Sequence, residues 1–300
     1  MSPPQLPGEG RGPARSNDSR GSANDAARRT GPRPAPGSRW WVGAALLAGL
    51  GAAAAFFLWP RAPDQPAKSA DDLLRSGPSA CEFITFEGTR FTACRYRRGE
   101  DRIELLLDPG GKPLRSLPAL RQHLGEGAQT LRFAMNAGMY DGAGRPIGLY
   151  VEDGRERRAL NRRDGAGNFH LKPNGVFTVD TDGRVAVLPS ERYRRSSKVA
   201  WATQSGPMLV IDGELHPRFS ADGSSLHVRN GVGVGDPDTA WFAISEQPVS
   251  FGRFARLFRD RLGCANALFL DGSVSSLWDR PANRVDAYPA LGPLIAVFKS

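Results

Sequence analysis

The chain has 300 residues, a formal net charge of +9 and a hydrophobic content of 40%. The charge does not indicate a nucleic-acid partner, because residues 1–39 alone carry seven arginines against three acidic residues and the other arginines are scattered, without interleaved aromatic residues. A zinc enzyme is disfavoured because the histidines are scattered and no Cys-x-x-Cys pair occurs. Serine hydrolases and nucleotide-binding folds are disfavoured because the sequence has neither a G-x-S-x-G motif nor a phosphate-binding glycine-rich loop.

Residues 1–39 contain 18 Pro, Gly or Ser residues, a composition that cannot bury a core and that predicts a disordered tail. The segment from Trp40 to Trp59 then runs for twenty residues without a charge, which predicts one transmembrane helix with tryptophans at both membrane interfaces. The excess of arginine before this helix predicts a cytoplasmic N-terminus. We therefore expect a single-pass protein of the inner membrane, with its C-terminal part in the periplasm or otherwise outside the cytoplasm.

Two other interpretations of the apolar segment exist, a cleaved signal peptide and a core helix of a soluble protein. The long tail and the lack of a clean cleavage site disfavour the first, and twenty uncharged residues disfavour the second. Residues 60–79 are rich in proline and predict a semi-extended linker. Residues 80–300 remain as one domain, long enough for a sizeable core.

Two cysteines flank the first apolar runs of this domain. Cys81 and Cys94 lie on either side of Glu87-Gly88, so a β-hairpin could bring them together as a disulfide. Such a bond fits an oxidising compartment. Cys264 would then remain as a small buried residue. The alternative is three reduced, buried thiols.

Short β-prone runs separated by glycine, proline and Asp-Gly pairs dominate the rest of the chain and predict many, mostly antiparallel strands. The runs lie at 102–107, 147–152, 175–181, 207–211, 231–235, 240–244 and 267–270. The Asp-Gly pairs, each a candidate hairpin turn, begin at Asp141, Asp153, Asp182, Asp212, Asp222 and Asp271. Helical periodicity occurs over Leu114 to Leu124 and Phe251 to Leu262, the second with Ser250 as N-cap and Gly263 as stop. The fold class is therefore α+β, a single domain of mostly antiparallel sheet with a few packed helices.

Polar residues follow several of these apolar runs. Asp271 comes where a buried strand ends, and strand ends that open onto loops often present reactive side chains. Four such clusters occur: 135–140, 172–175, 203–207 and 270–273. For each cluster alone, a plain turn is the competing explanation, because Asn-Gly and Asp-Gly form turns readily.

Six segments, in this order, resemble the bacterial branch of the phosphodiester glycosidase family: FAMNAGMYD, LKPNGVF, ATQSGPMLVIDG, RNGVGVG, AISEQPVSFGRFARLF and ALFLDGSVSSLW. They cover most of the chain from Cys81 to Ser300. Animal relatives in this family remove N-acetylglucosamine to uncover mannose 6-phosphate. The resemblance therefore implies a hydrolase that cleaves a sugar phosphodiester.

The chain departs from the animal members at two places. It has Asn136-Ala137-Gly138 where they have Asn-Gly-Gly, and Asp271-Gly272-Ser273-Val274-Ser275 where they have Asp-Gly-Gly-Gly-Ser. At these positions this chain has side chains, whereas the glycines of the animal members would leave only backbone in contact with a ligand. The resemblance therefore does not imply the same sugar.

Glycoside cleavage needs a carboxylate that stabilises an oxocarbenium-like state. Asp271 is the first candidate and Glu246 the second, with a surface or capping role as the alternative for Glu246. Asn136 completes the expected catalytic set. The departing phosphate is a stable anion, so neutralising its charge matters more than protonating it. Arg229 and Lys172 are the candidate cations, with solvated surface as their alternative.

The remaining expected substrate contacts are small or amide-bearing residues in the same clusters. They are Asn174, Gln204, Ser205, Gly138, Gly272 and Ser275. No cofactor is expected, although carboxylates could hold a divalent cation.

The sequence thus predicts a hydrolase acting on a glycosyl phosphodiester of an envelope glycan or exopolysaccharide. A non-catalytic envelope protein that binds anionic glycans through the same pocket is the alternative. Transfer of the sugar to another hydroxyl instead of water is a third reading, because both reactions share the first step.

Overall fold

The computed structural model describes residues 79–287 and 290–300. The predicted tail, the predicted transmembrane helix at 40–59 and nearly all of the predicted linker lie outside these residues. Within them, no helix is long and apolar enough to span a membrane.

Antiparallel strands form most of the described domain. The strands are β1 (Cys81–Phe86), β2 (Thr89–Arg97), β3 (Asp101–Leu106), β4 (Leu131–Asn136), β5 (Tyr150–Glu152), β6 (Arg155–Arg158), β7 (Gly175–Asp180), β8 (Val185–Pro189), β9 (Val199–Ser205), β10 (Met208–Ile211), β11 (Glu214–Leu215), β12 (Asn230–Asp236), β13 (Thr239–Ser245), β14 (Asn266–Phe269), β15 (Leu277–Asp279), β16 (Arg284–Val285) and β17 (Leu294–Lys299). The α-helices are α1 (Leu117–Leu124) and α2 (Phe251–Arg256).

These strands form three sheets. A seven-stranded sheet has the order β1-β2-β13-β12-β14-β10-β11, and two five-stranded sheets have the orders β16-β15-β4-β17-β3 and β6-β5-β9-β7-β8. Neighbouring strands pair antiparallel throughout. The predicted class, a mostly antiparallel sheet domain with two short helices, is confirmed for the described residues.

One aromatic cluster joins the three sheets. Phe242 on β13 lies with its ring centroid 5.4 Å from that of Phe133 on β4 and 5.7 Å from that of Phe177 on β7. All three rings are essentially buried. Because apolar burial contributes ~25 cal/mol per Å², this shared core fixes the sheets against one another. The strand ends next to this core are thereby held in place.

Local turn chemistry agrees with the sequence at most hairpins. Glu87, Asp153 and Asp212 each have a positive φ of about 50° and precede a glycine with positive φ, as a tight hairpin turn requires. The predicted hairpins at Asp222 and Asp271 are wrong. Asp222 lies between β11 and β12, which are not neighbours in the sheet, and Asp271 connects strands of two different sheets.

The caps of both helices fit their sequences. Ser116 Oγ accepts a hydrogen bond from Ala119 N, so α1 begins at Leu117 and not at Leu114 as predicted. The predicted N-cap Ser250 accepts from Arg253 N. Helix α2 continues as a π-helical turn, and the chain leaves it at Gly263, whose φ of 67° fits the predicted stop.

The predicted disulfide is present. Cys81 and Cys94 face each other in the register of the hairpin β1–β2 and are bonded. Cys264 is free and buried, and burial raises the pKa of its thiol to about 12. The expectation of a small buried residue at Cys264 is confirmed.

Candidate active site

Three buried polar residues meet where strands of two sheets end. Asn136 closes β4, Asp271 follows β14, and Asn230 opens β12. Asn136 Nδ2 donates to the backbone oxygen of Asp271 at 2.7 Å, and Asn136 Oδ1 accepts from Asn230 Nδ2 at 3.0 Å and from Ser276 N at 2.9 Å. Asp271 N also donates to Ala137 O at 3.2 Å. This network holds the backbone of Asp271 in place.

Ser275 extends the same network. Its hydroxyl lies 3.2 Å from Asn230 Oδ1 and 3.2 Å from Val228 O. Asn230 and Ser276 were not among the residues singled out in the sequence. Asn230 could have been predicted from its position, because it directly follows the candidate residue Arg229 in the RNGVG segment.

The Asp271 carboxyl combines burial with an uncommitted oxygen. The residue is 8% exposed, and burial raises the pKa of its carboxyl from the ordinary value of 3.8. Oδ1 accepts a hydrogen bond from Ser273 N at 3.1 Å, which opposes part of that rise. Within the described residues, Oδ2 accepts no hydrogen bond. One oxygen of Asp271 is therefore available to a substrate.

Gly138 and Gly272 permit close packing at this site. A Cβ on Gly138 would lie 2.4 Å from both Gln204 O and Thr203 Oγ1, and a Cβ on Gly272 would lie 2.3 Å from the Phe269 ring. Gly138 N donates to Thr203 Oγ1 at 3.2 Å. Both glycines thus have a packing role, and Thr203, which opens the cluster 203–207, is a site neighbour that was not among the predicted substrate contacts.

Ser205 lies on the same strand, two residues beyond Thr203. Because side chains alternate along a strand, Ser205 and Thr203 share one face of β9 and Gln204 points to the other. Ser205 Oγ is fully buried and has no hydrogen-bond partner among the described residues. A buried hydroxyl without a partner fits a position that water or ligand completes.

Three of the predicted substrate contacts, Gln204, Asn174 and Lys172, form hydrogen bonds with the backbone of the segment 161–170. Gln204 bonds the backbone of Asn161 through both ends of its amide, Asn174 Nδ2 donates to Phe169 O at 2.8 Å, and Lys172 Nζ donates to Arg162 O at 2.9 Å. Lys172 also pairs with Asp164, and both side chains are substantially exposed. The three predicted substrate contacts therefore hold the segment 161–170 against the sheet, and no hydrogen bond joins them to Asp271.

Glu246 is committed to a separate ion pair. Its Oε1 accepts from Arg284 Nη1 and from Thr92 Oγ1, each at 2.6 Å. Arg284 also donates to both oxygens of Asp286, whose Oδ2 accepts from Leu277 N. The second predicted carboxylate thus stabilises a strand end beside the site.

Arg229 is a buried cation. It is 1% exposed, its guanidinium carbon lies 3.6 Å from the centroid of the Phe251 ring and 5.4 Å from that of Phe269, and burial lowers its pKa to about 10. Nε donates to Val249 O and Nη2 to Ser225 O. Among the residues described, no carboxylate pairs with Arg229. The solvated-surface interpretation of Arg229 is therefore wrong, because the side chain is buried. A buried charge is costly unless it is compensated, and an anionic ligand would add to the compensation that the two carbonyl oxygens give.

No metal centre is assembled from the described residues, because no three His, Cys, Asp or Glu side chains lie close enough to share an ion.

Comparisons with known proteins agree with the fold and the motifs. Residues 129–290 match the family described as phosphodiester glycosidase. The uncharacterized protein YigE of Escherichia coli (strain K12) is 38% identical over 148 residues, which are 49% of this chain and 58% of YigE. The chain thus spans less than two thirds of that relative.

Two solved structures were compared with the described domain, and the first of them has a similar fold. The catalytic domain of zebrafish N-acetylglucosamine-1-phosphodiester alpha-N-acetylglucosaminidase, auto-inhibited by its pro-peptide, superposes with a TM-score of 0.50 at 14% identity, over 73% of this chain and 81% of that chain. A hypothetical protein from Synechocystis gives a TM-score of 0.46 at 15% identity, over 73% of this chain and 61% of that chain.

Proposed function

Because this chain belongs to the phosphodiester glycosidase family, we propose that it hydrolyses a glycosyl phosphodiester of an envelope glycan or exopolysaccharide. The observation that carries this proposal is the pair of charges at the site. Asp271 offers a buried carboxylate with an unbonded oxygen, and Arg229 offers a buried guanidinium without a carboxylate partner in the described residues. An anionic group linked to a sugar complements both.

In the proposed reaction, the bond between the anomeric carbon and the phosphate oxygen breaks, and both electrons leave with the phosphate. Asp271 stabilises the positive charge that develops on the sugar ring. Water then adds to the anomeric carbon and loses its proton, which completes hydrolysis. The Ser205 hydroxyl, buried without a partner, is suited to orient that water.

Arg229 is assigned to the phosphate. A phosphodiester carries one negative charge, and the departing monoester carries up to two, so a fixed guanidinium stabilises the transition state more than the bound substrate. The guanidinium is held by Val249 O and Ser225 O and needs no rearrangement during the reaction. Arginine rather than lysine suits this role because its planar group matches two phosphate oxygens.

The sugar is proposed by class only. The zebrafish relative is named for an N-acetylglucosamine-1-phosphodiester, which makes that compound the first to test. Ala137 replaces a glycine of the animal members next to Asn136, and Ser273 and Val274 replace two glycines shortly after Asp271. We therefore expect a different preference among sugars, which a panel of glycosyl-1-phosphodiesters would reveal.

The proposed place of the reaction is the periplasm or another space outside the cytoplasm, with the chain anchored by the helix expected at residues 40–59. The Cys81–Cys94 disulfide supports an oxidising compartment. An antibody to the N-terminal tail, applied to membrane and soluble fractions, tests whether tail and domain stay joined. If a second antibody, against the domain, detects the domain in the soluble fraction without the tail, the chain is cleaved after the apolar segment and is not anchored.

The activity is tested with the full chain in detergent and the panel of glycosyl-1-phosphodiesters, with release of free sugar as the readout. Asp271→Asn should abolish release while its far-ultraviolet circular dichroism stays that of the wild type. Unchanged turnover in that variant would refute the mechanism. Binding of the diesters without turnover by the wild type would instead support the non-catalytic glycan-binding alternative.

A further inference from the structure

Arg115, in the connection between β3 and α1, has an unusual backbone. Its φ is 59°, in the left-handed region that side chains other than glycine seldom adopt. Five other described residues that are not glycine share this feature. Glu87, Asp153 and Asp212 each precede a glycine in a hairpin turn, Asn283 lies in the turn between β15 and β16, and Ala290 lies in the connection before β17. Arg115 lies in no hairpin and is followed by the N-cap Ser116. Backbone strain of this kind is concentrated at functional sites.

The guanidinium of Arg115 is also uncommitted. It forms no hydrogen bond or ion pair within residues 79–287 and 290–300, and its Nη1 atom is buried without a partner. Nη1 lies so close to Gly144 that a Cβ there would be 1.5 Å away. An arginine has five N–H donors, so a partly buried guanidinium with none of them satisfied calls for an external acceptor.

Arg115 lies beside the proposed reaction centre. Hydrogen bonds and packing connect the two: Leu291 N donates to Arg115 O at 2.8 Å, and Gly292 packs so closely on Tyr140 that a Cβ there would lie 2.3 Å from its ring. Pro293 O in turn accepts from Ala137 N, and Ala137 O accepts from Asp271 N. Burial raises the pKa of the Tyr140 hydroxyl to about 12, the Asp271 carboxylate adds to that rise, and Arg115 opposes it. Tyr140 thus lies within electrostatic range of both groups. Arg229 stacks on Phe251 of α2 and lies 5.4 Å from the ring centroid of Phe269, at the end of the strand that leads to Asp271. The two arginines come from different parts of the fold.

We propose that Arg115 is a second phosphate-binding residue, which acts with Arg229 on the phosphate of the substrate. This inference rests on the proposed function. The leaving phosphate gains a second negative charge as its bond to the sugar breaks, and two guanidinium groups match that charge. Arg115 lies outside residues 129–290, the range that matches the family.

The first experiment measures inorganic phosphate binding to the full chain by calorimetry and does not depend on turnover. Arg115→Gln should weaken phosphate binding at least about tenfold, since a hydrogen bond to a charged group contributes ~1.5–3 kcal/mol. Arg121→Gln is the matched control, because Arg121 is exposed on α1 and carries the same charge. Equal phosphate binding by Arg115→Gln and the wild type would overturn the proposal.

The second experiment separates a phosphate contact from a structural role. Arg115→Ala should lower hydrolysis of a glycosyl-1-phosphodiester by ~10²-fold and leave hydrolysis of the 4-nitrophenyl glycoside of the same sugar unchanged. Added guanidinium ion should restore part of the diester activity. Equal loss on both substrates without rescue would assign Arg115 a structural role and overturn the proposal. If the wild type cleaves no diester, the proposed function fails, and the phosphate measurement alone decides on Arg115.

Discussion

The Asn136 amide offers a direct test of how Asp271 is held. Asn136→Ala removes hydrogen bonds to Asp271 O, Ser276 N and Asn230 Nδ2. Asn230 Nδ2 keeps a contact of 3.2 Å with the backbone oxygen of residue 136, so two buried groups lose their partner. Each such group costs ~1–3 kcal/mol. We therefore expect the free energy of unfolding to fall by ~2–6 kcal/mol.

Urea denaturation, followed by tryptophan fluorescence, measures this loss. The midpoint should fall while the m-value stays constant, and the melting temperature should drop by at least ~4 °C. Asn168→Ala is the matched control, because Asn168 is exposed and its side chain makes no hydrogen bond with any described residue. Its effect should stay within ~0.5 kcal/mol. A change below ~1 kcal/mol in Asn136→Ala would refute the claim that this network holds the site.

Three further predictions concern charges and the disulfide. Burial raises the pKa of the Asp271 carboxyl in the folded state above its ordinary value of 3.8. The stability that this group contributes is therefore fully present below pH 3.8 and is lost as the pH rises through the pKa of the folded state. Asp271→Asn should thus melt above the wild type at pH 7 but not at pH 3, and its diester hydrolysis should fall at least ~10³-fold; equal melting at both pH values would contradict this. Arg229→Met should keep the free energy of unfolding within ~2 kcal/mol, because methionine removes a buried charge that no carboxylate of the described residues pairs. Diester hydrolysis should fall ~10²–10³-fold, because the variant loses the proposed contact with the phosphate. Replacing Cys81 and Cys94 by alanine should cost ~3 kcal/mol, since their separation of 13 residues closes a short loop; reductant should lower the melting temperature of the wild type and not that of this variant.

Much of the fold followed from local signals. Hairpin turns at Glu87, Asp153 and Asp212 depend on backbone conformations that their own sequences favour, and so does the N-cap at Ser250. Asp271 belongs to the same kind of pair as Asp153, yet it leads from one sheet to another. An Asp-Gly pair specifies a local bend and says nothing of which sheet the next strand joins.

The sequence predicted those site residues that lie at the ends of strands. It predicted less well which residues within a strand point toward the site. Asn136 and Asp271 come together because β4 and β14 end at the same place, which follows from position along each strand. Gln204 and Ser205 are neighbours in sequence but point to opposite faces of β9. The sequence did not indicate which face of β9 lies against Gly138, because that depends on packing between sheets; in the structure the Thr203 side chain lies there.

The commitment of Glu246 to Arg284 leaves Asp271 without a second carboxylate bonded to its network in the described residues. Ordinary glycosidases use a pair of carboxyl groups, one of which protonates the leaving oxygen. In the proposed reaction no such acid is needed, since phosphate leaves as a stable anion and arginine meets its charge. We therefore expect turnover of glycosyl phosphodiesters and 4-nitrophenyl glycosides, which have good leaving groups, but not of the matching methyl glycoside. Comparable turnover of the methyl glycoside would reveal a general acid and contradict this account of the site.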